Sequence, residues 1–320
     1  MARTLVVSTP LSIGDIVGRA FRIFRQHLLL IGKTLALPTI FLALGRIALL
    51  VGASFGVKYM SNPAAGALWF CLAGAGALTM FGAMINFWIR QMALVRFLCG
   101  YSPSYQDARL FLKDKIYSLV ALSISSFMAS LGAALLWMIV LFVSMPGLKA
   151  QGLLPVVSSV GLAVGILGMT ASLVLISIVT QLVMTALALE RGELGPMIAK
   201  SFSLTVHAFA RSIVFLVVTV ASIMLLAYPL SLPASILVFG HMMVSGALTG
   251  APEPNVPMWI QVFNSVWETI VNMVIGPVYY LSYGLFYTDL CVRQEGVDLI
   301  ERLDEVEAEE QAKRLSSSGY

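Results

Sequence analysis

The sequence predicts an all-helical integral membrane protein with six transmembrane helices. Of its 320 residues, 59% are hydrophobic and only 11% are charged, and the mean hydropathy is +0.90. A soluble fold could not bury that much apolar surface, so most of it must face lipid. Six apolar stretches are each long enough to cross a hydrocarbon core of ~30 Å, which takes about 20 helical residues. Together these two observations define the fold class.

The predicted spans follow one another in three pairs. They cover residues 28–51, 68–88, 116–145, 156–189, 213–231 and 259–287. The fifth apolar stretch continues to residue 244 but contains Pro229 and Pro233. Because proline removes a backbone donor and kinks or ends a helix, we expect this span to end at residue 231. A separate helix on the outer membrane surface would then cover 233–248, and a single kinked span is the alternative.

A short amphipathic helix is predicted before the first, third and fifth spans, over residues 12–27, 104–115 and 196–211. In the first of these, Ile16 and Ala20 share an apolar face, while Arg19 and Arg22 lie on the opposite face. A helix of this kind lies in the membrane interface. Each start is marked by residues typical of helix N-termini: Ser12 with Asp15, Ser104 with Asp107, and Gly195 with Pro196.

The even spacing of these motifs predicts three repeats, each an amphipathic helix followed by a helical hairpin. The repeats cover about residues 10–100, 101–192 and 193–290, and together they form a membrane domain over 1–290. An acidic tail over 291–320 is expected to lie in the cytoplasm. Even spacing also occurs in helical membrane proteins without repeats, and the capping motifs are what favour repetition here.

The basic residues predict the orientation of the chain. It carries 20 Lys and Arg residues and a formal net charge of +4. Between the spans, only Lys58 and Lys149 fall on the side opposite the N-terminus. By the positive-inside rule, both termini are expected to lie in the cytoplasm. The charges alternate with the spans and do not form one stripe, which argues against nucleic acid as a partner.

Three segments carry a resemblance to a known bacterial family. They are residues 10–25 (PLSIGDIVGRAFRIFR), 199–207 (AKSFSLTVH) and 286–299 (FYTDLCVRQEGVDL). The chain resembles the membrane domain of the glycerophosphoryl diester phosphodiesterase family. In some relatives that domain precedes a soluble phosphodiesterase barrel, and too few residues follow Tyr287 here for such a barrel. The resemblance therefore implies a membrane domain, expected in a bacterial inner membrane, and it does not imply phosphodiesterase activity for this chain.

Glu268 defines a candidate intramembrane site, because it lies ~13 Å inside the sixth predicted span at 1.5 Å per residue. Ionisable groups at such depth are costly and commonly mark a pathway or a partner. Arg46 lies at a comparable depth in the first span, and we predict contact between the two charges. Every fourth residue around Glu268 is polar or small: Asn264, Glu268, Asn272, Gly276 and Tyr280. This stripe either lines a groove for an ion or a lipid headgroup, or it only holds helices together.

Basic residues on and beside the amphipathic helices form a second candidate site, for anionic lipid headgroups. Each Lys or Arg near an anionic membrane surface contributes ~1 kcal/mol of attraction. The residues are Arg19, Arg22, Arg25, Lys113, Lys115, Lys200 and Arg211. The alternative is that these charges only set the topology.

Small residues predict close packing of the fourth span on the third. They are Gly161, Gly165, Gly168 and Ser172, and Ser126, Ser130 and Ala133 could face them from the third span. The alternative is that this stripe is the seam of an oligomer.

No pattern in the sequence predicts catalysis, a cofactor or a metal site. The histidines are scattered, and the sequence contains no Walker motif. We therefore expect a non-catalytic protein that interacts with, organises or helps to move anionic or glycerol-based lipids. The alternative is a small-solute or ion transporter, or a channel subunit, with Glu268 as the coupling group. A homo-oligomer or another membrane protein is left open as a partner.

Overall fold

A computed structural model describes residues 10–145, 154–244 and 256–295 of the chain. Within these ranges the structure is all-helical, which confirms the fold class. The helices are α1 (Ile13–Gln26), α2 (Leu28–Lys58), α3 (Pro63–Leu98), α4 (Tyr105–Lys113), α5 (Ile116–Ser144), α6 (Leu154–Leu189), α7 (Leu194–His207), α8 (Phe209–Val244) and α9 (Met258–Glu295). The six longest of these, α2, α3, α5, α6, α8 and α9, are long and apolar enough to cross a membrane.

One short helix and two long helices follow each other three times, which is the order that three repeats would give. The short helices are α1, α4 and α7. The repeat itself stays a prediction. Helix α9 continues to Glu295, past the predicted domain boundary at residue 290. The rest of the predicted acidic tail lies outside the described residues.

Capping contacts explain where the first two amphipathic helices begin. The backbone N–H of Asp15 donates to the Ser12 hydroxyl at 3.1 Å, and that of Asp107 donates to the Ser104 hydroxyl at the same distance. These contacts satisfy N–H groups that the first turn of a helix leaves without partners. Gly100 ends the helix before α4 with a φ of 80°, a left-handed conformation that favours glycine.

The third amphipathic helix differs from the prediction. Helix α7 begins at Leu194, and its N-cap residue Glu193 makes no side-chain capping bond. It ends at His207, and α8 starts at Phe209, so Arg211 belongs to the long helix α8. The expectation of one helix over 196–211 is therefore wrong at its end.

The preferred prediction for the fifth apolar stretch is also wrong, because α8 runs without interruption through Pro229 and Pro233. Prolines are tolerated in membrane helices where neighbouring groups satisfy the freed carbonyls. The carbonyls freed by the two prolines are those of Leu225 and Pro229. Beside them, the indole N–H of Trp267 donates to the Leu230 carbonyl at 2.6 Å, and the Ser231 hydroxyl donates to the Tyr228 carbonyl at 2.9 Å, which supports the helix at this point. The alternative, a single long helix, is the observed structure.

The helices fall into two compact units. The first unit comprises residues 11–112 and 217–286. Its α2 and α3 pack so closely that a Cβ at Gly45 would lie 2.9 Å from the Gly76 carbonyl oxygen, and one at Gly52 would lie 2.7 Å from the Trp69 carbonyl oxygen. Such close backbone approach is how membrane helices gain packing energy without a hydrophobic effect between them.

The second unit comprises residues 113–216 and, among the described residues of the C-terminal part, 287–295. The predicted packing of α6 on α5 is observed, but its register is different. Gly168 lies against the Trp137 ring, and the Trp137 indole donates to the Ser172 hydroxyl at 3.0 Å. Ser126 instead contacts the Thr180 hydroxyl at 2.8 Å. In an antiparallel helix pair, residues equally far from the connection between the helices face each other. Ser126, Ser130 and Ala133 lie farther from that connection than Trp137, which packs on Gly168, so they do not face the glycines.

Candidate functional site

The predicted contact between Arg46 and Glu268 is confirmed within the first unit. Nη1 of Arg46 lies 3.0 Å from Oε2 of Glu268. The pair joins α2 to α9, and its two side chains are 33% and 54% exposed. Since α2 and α9 are candidate membrane spans, this exposure makes the pair accessible from the surroundings of the helices.

Two cavities flank this ion pair, and Arg46 lines both of them. The Asn264 cavity has a volume of about 590 Å³ and is lined on α9 by Gln261, Asn264, Ser265 and Glu268. The Gln91 cavity has a volume of about 450 Å³ and includes Gln91 on α3 and Asn272 on α9. Both volumes lie in the range of roughly 300–1,000 Å³ that is typical of small-molecule sites.

The polar stripe predicted on α9 lines these cavities along its whole length. Asn264 and Glu268 belong to the first cavity, and Asn272, Gly276 and Tyr280 belong to the second. The opposite walls come from α2 and α3 and are mostly apolar, including Leu49, Leu50 and Met80 in the Asn264 cavity and Leu42, Met84 and Phe87 in the Gln91 cavity. Each cavity therefore combines a few polar side chains with a mostly apolar lining, which suits an amphiphilic ligand.

Gln91 is a site residue that the sequence reasoning missed. Its side chain is 1% exposed, and neither amide atom has a hydrogen-bond partner among the described residues. It lies against Gly276, where a Cβ would collide with its amide nitrogen. The available signal was a neutral polar residue just after the predicted end of the second span, at residue 88. The helix in fact continues to Leu98, so Gln91 lies within α3.

The basic residues of α1 and α4 differ in exposure. Arg22, Arg25 and Lys113 are exposed and make no ion pair within the described part of the chain, while Arg19 is half-buried and lies close enough to Asp15 to interact with it. A shallow cavity of about 490 Å³ runs beside α1 and is lined by Gly18, Phe21, Arg22, Phe24 and Arg25. Helix α1 buries Ile16, Val17 and Ala20 on its other face. Arg22 and Arg25 therefore face outward from α1.

In the second unit, the other predicted headgroup ligands contact groups of the protein itself. The Lys115 ammonium donates to the Gly192 carbonyl. Lys200 Nζ lies 2.9 Å from Glu190 Oε1. Arg211 Nη2 lies 2.7 Å from Oδ2 of Asp289. These three charges are therefore engaged inside the protein, which supports a structural role for them.

Glu190 and Asp289 are the acidic partners that the sequence reasoning did not single out. Glu190 also accepts a hydrogen bond of 2.8 Å from the Tyr287 hydroxyl, and the fully buried Asp289 also accepts from Arg293 Nε at 3.1 Å. Two of the three family-like segments, 199–207 and 286–299, contribute to these contacts. Each position carries an acidic residue that the sequence shows, but Arg211 lies 78 residues from Asp289 along the chain, and Tyr287 lies 97 residues from Glu190.

Among the described residues outside the spans, three titratable groups have shifted pKa values. The hydrogen bond from the Ser12 hydroxyl lowers the pKa of Asp15. Burial raises the pKa of Tyr105, and burial raises the pKa of the Cys99 thiol to about 12. These shifts follow from capping and desolvation and do not indicate an acid–base pair. Among the described residues, no cluster of three or more His, Cys, Asp or Glu side chains could hold a metal ion.

No protein-family model, curated protein or solved structure matches this chain. The family resemblance of the three segments therefore stays a prediction.

Proposed function

We propose that this protein is a non-catalytic protein of a bacterial inner membrane, with both termini in the cytoplasm, that binds and helps to organise or move an anionic or glycerol-based lipid. The observation that supports this function most strongly is the Arg46–Glu268 pair, exposed beside two cavities that combine a few polar side chains with a mostly apolar lining. A lipid has the matching chemistry, with a polar headgroup and apolar chains. We also propose membership of the membrane-domain family named above, on the three segments alone.

The outward-facing arginines of α1 supply a second point of contact for an anionic headgroup. Arg22 and Arg25 are exposed beside aromatic side chains, and both line the α1 cavity. Arginine offers several donors in a planar fork that matches phosphate oxygens. We therefore assign headgroup attraction at the membrane surface to α1. Lys200 and Arg211 are not assigned this role, because each is paired with a carboxylate and neither lines the Asn264, Gln91 or α1 cavity.

The test is lipid retention in native mass spectrometry of the protein in a mild detergent, comparing Arg46→Gln with Lys33→Gln. Both residues lie on α2, but Lys33 is exposed and makes no ion pair within the described residues. We expect Arg46→Gln to lower retention of an anionic lipid about tenfold, because one charge-assisted hydrogen bond is lost. Lys33→Gln should leave retention unchanged. Equal retention in both variants would contradict the proposal.

The alternative function, transport of an ion or small solute, is favoured by one observation. Glu268 is more than half exposed and borders the larger cavity together with Gln261, Asn264 and Ser265. In liposomes, Glu268→Gln should abolish a proton-coupled flux if Glu268 is the coupling group. If wild type and Glu268→Gln show no difference in flux while lipid binding persists, the lipid function is supported.

A further inference from the structure

The Gln91 cavity contains a feature that the Arg46–Glu268 pair does not explain. The Gln91 amide is almost completely buried and has no hydrogen-bond partner among the described residues. When an amide is buried without a hydrogen-bond partner, the free energy of its desolvation is left uncompensated. Because Gln91 lines the cavity, a group bound there could form hydrogen bonds with both the amide nitrogen and the amide oxygen.

The glycine at position 276 keeps the Gln91 amide in this place. An added Cβ at Gly276 would occupy the position of the Gln91 amide nitrogen. The side chain is therefore held at the cavity wall by the absence of a side chain on the facing helix. Asn272, one turn before Gly276 on α9, lines the same cavity and makes no hydrogen bond within the described part of the chain.

The charge and shape of the lining restrict the chemistry of the ligand. Arg46 is the single charged residue among the side chains that line the cavity in the described structure, and it also borders the Asn264 cavity, where it pairs with Glu268 at 3.0 Å. The other described side chains of the Gln91 cavity, Gln91 and Asn272 among them, are uncharged. The amides of Gln91 and Asn272 each offer a donor and an acceptor, the combination that a hydroxyl group matches. Aromatic rings complete the wall and can pack on the apolar faces of a carbon skeleton: Phe87, Trp88, Tyr279 and Tyr280.

We infer that the Gln91 cavity binds an uncharged polyol or sugar group, with Gln91 and Asn272 as its hydrogen-bonding residues. The group belongs to a lipid headgroup or to a free polyol, and the cavity chemistry is the same for both. The inference rests on the proposed function in so far as the group arrives as part of a lipid.

The test measures binding of three probes by native mass spectrometry in a detergent without a sugar headgroup. The probes are a dioctanoyl glucosylglycerol, dioctanoyl phosphatidic acid and free glucose. The variants are Gln91→Leu and Gly276→Ala, and the matched control is Gly82→Ala on α3, where an added Cβ meets nothing within 4 Å. Gly276→Ala displaces only the end of a flexible side chain, so it keeps the test valid if Gln91→Leu does not fold.

We expect the wild type and Gly82→Ala to bind the glucosylglycerol equally, and Gln91→Leu and Gly276→Ala to bind it about tenfold more weakly, the loss of one to two hydrogen bonds. Phosphatidic acid should respond to Arg46→Gln and not to Gln91→Leu.

Binding of free glucose alone, lost in the Gln91 variant, would support the site while contradicting the lipid function. Glucosylglycerol binding that is unchanged by either variant would overturn the inference. The inference would also be overturned if neither glucosylglycerol nor glucose bound to the wild type, since the Gln91 amide would then be solvated by water alone. Neither result would affect the lipid function if phosphatidic acid still bound through Arg46.

Discussion

Replacing Arg211 with methionine should destabilise the second unit by about 3 kcal/mol, because it leaves the buried Asp289 carboxylate with one partner fewer. The Asp289 side chain is 0% exposed and lies 2.7 Å from Arg211 Nη2 and 3.1 Å from Arg293 Nε. Removing one partner of a buried ion pair costs about 3–5 kcal/mol. Since Arg293 remains one turn away on α9, we expect the lower end of that range.

The assay is thermal unfolding in detergent, followed by tryptophan fluorescence. At 2–4 °C per kcal/mol, a loss of about 3 kcal/mol lowers Tm by about 6–12 °C. The double variant Arg211→Met, Asp289→Asn should lose less than the sum of the two single variants, with a coupling of about 1–3 kcal/mol. The control is Arg22→Met, an exposed arginine without an ion pair among the described residues, which should change stability by less than ~0.5 kcal/mol.

One result would refute this reasoning. If Arg211→Met unfolds at the same temperature as Arg22→Met and releases a bound anionic lipid, then Arg211 is a headgroup ligand, as its sequence context predicted. The structural role assigned to the Arg211–Asp289 pair would then be wrong.

Three further predictions concern helix packing, thiol reactivity and pH. Gly52→Ala should cost about 1–3 kcal/mol in the same unfolding assay, since its Cβ would meet the α3 backbone, whereas Gly74→Ala, with nothing within 4 Å, should not. Iodoacetamide at pH 8 should leave Cys99 unmodified until the protein unfolds, because burial raises its pKa to about 12 and the thiolate is the reactive form; labelling of the folded protein at the unfolded rate would contradict this. The lowered pKa of Asp15 means that its contribution to α1 stability is present at neutral pH and is lost as the pH falls from 3.8 through the lowered value. Amide exchange in the first turn of α1, corrected for intrinsic rates, should therefore increase on acidification in the wild type, and an unchanged protection would contradict the capping role.

Much of the fold could be predicted because its determinants are local. The length of an apolar stretch decides whether a helix can cross the membrane, and a Ser12 hydroxyl three residues before Asp15 is enough to begin α1. The contact of Arg46 with Glu268 was also predictable, since two opposite charges at similar depth in lipid have few other partners.

The rest depends on which helices face each other, and the sequence alone does not contain that register. Gln91 becomes a site residue only because α9 places Gly276 opposite it. The buried Asp289 carboxylate is paired with Arg293 and with Arg211, which lies 78 residues away along the chain. Helix α8 is supported between its two prolines by Trp267, which donates to the Leu230 carbonyl from α9. A rule for proline derived from soluble helices therefore gave the wrong end for the fifth span.

The most direct test of lipid binding beside the Arg46–Glu268 pair is photocrosslinking in native membranes. A photoreactive amino acid replaces Asn264, which lines the Asn264 cavity, or Phe127, a 66% exposed residue of α5 that serves as the control. Mass spectrometry then identifies the attached lipids. We predict that the adducts at position 264 are enriched in one lipid class, while those at position 127 follow the bulk membrane composition. The same bulk composition at both positions, or no lipid adduct at position 264, would contradict the account.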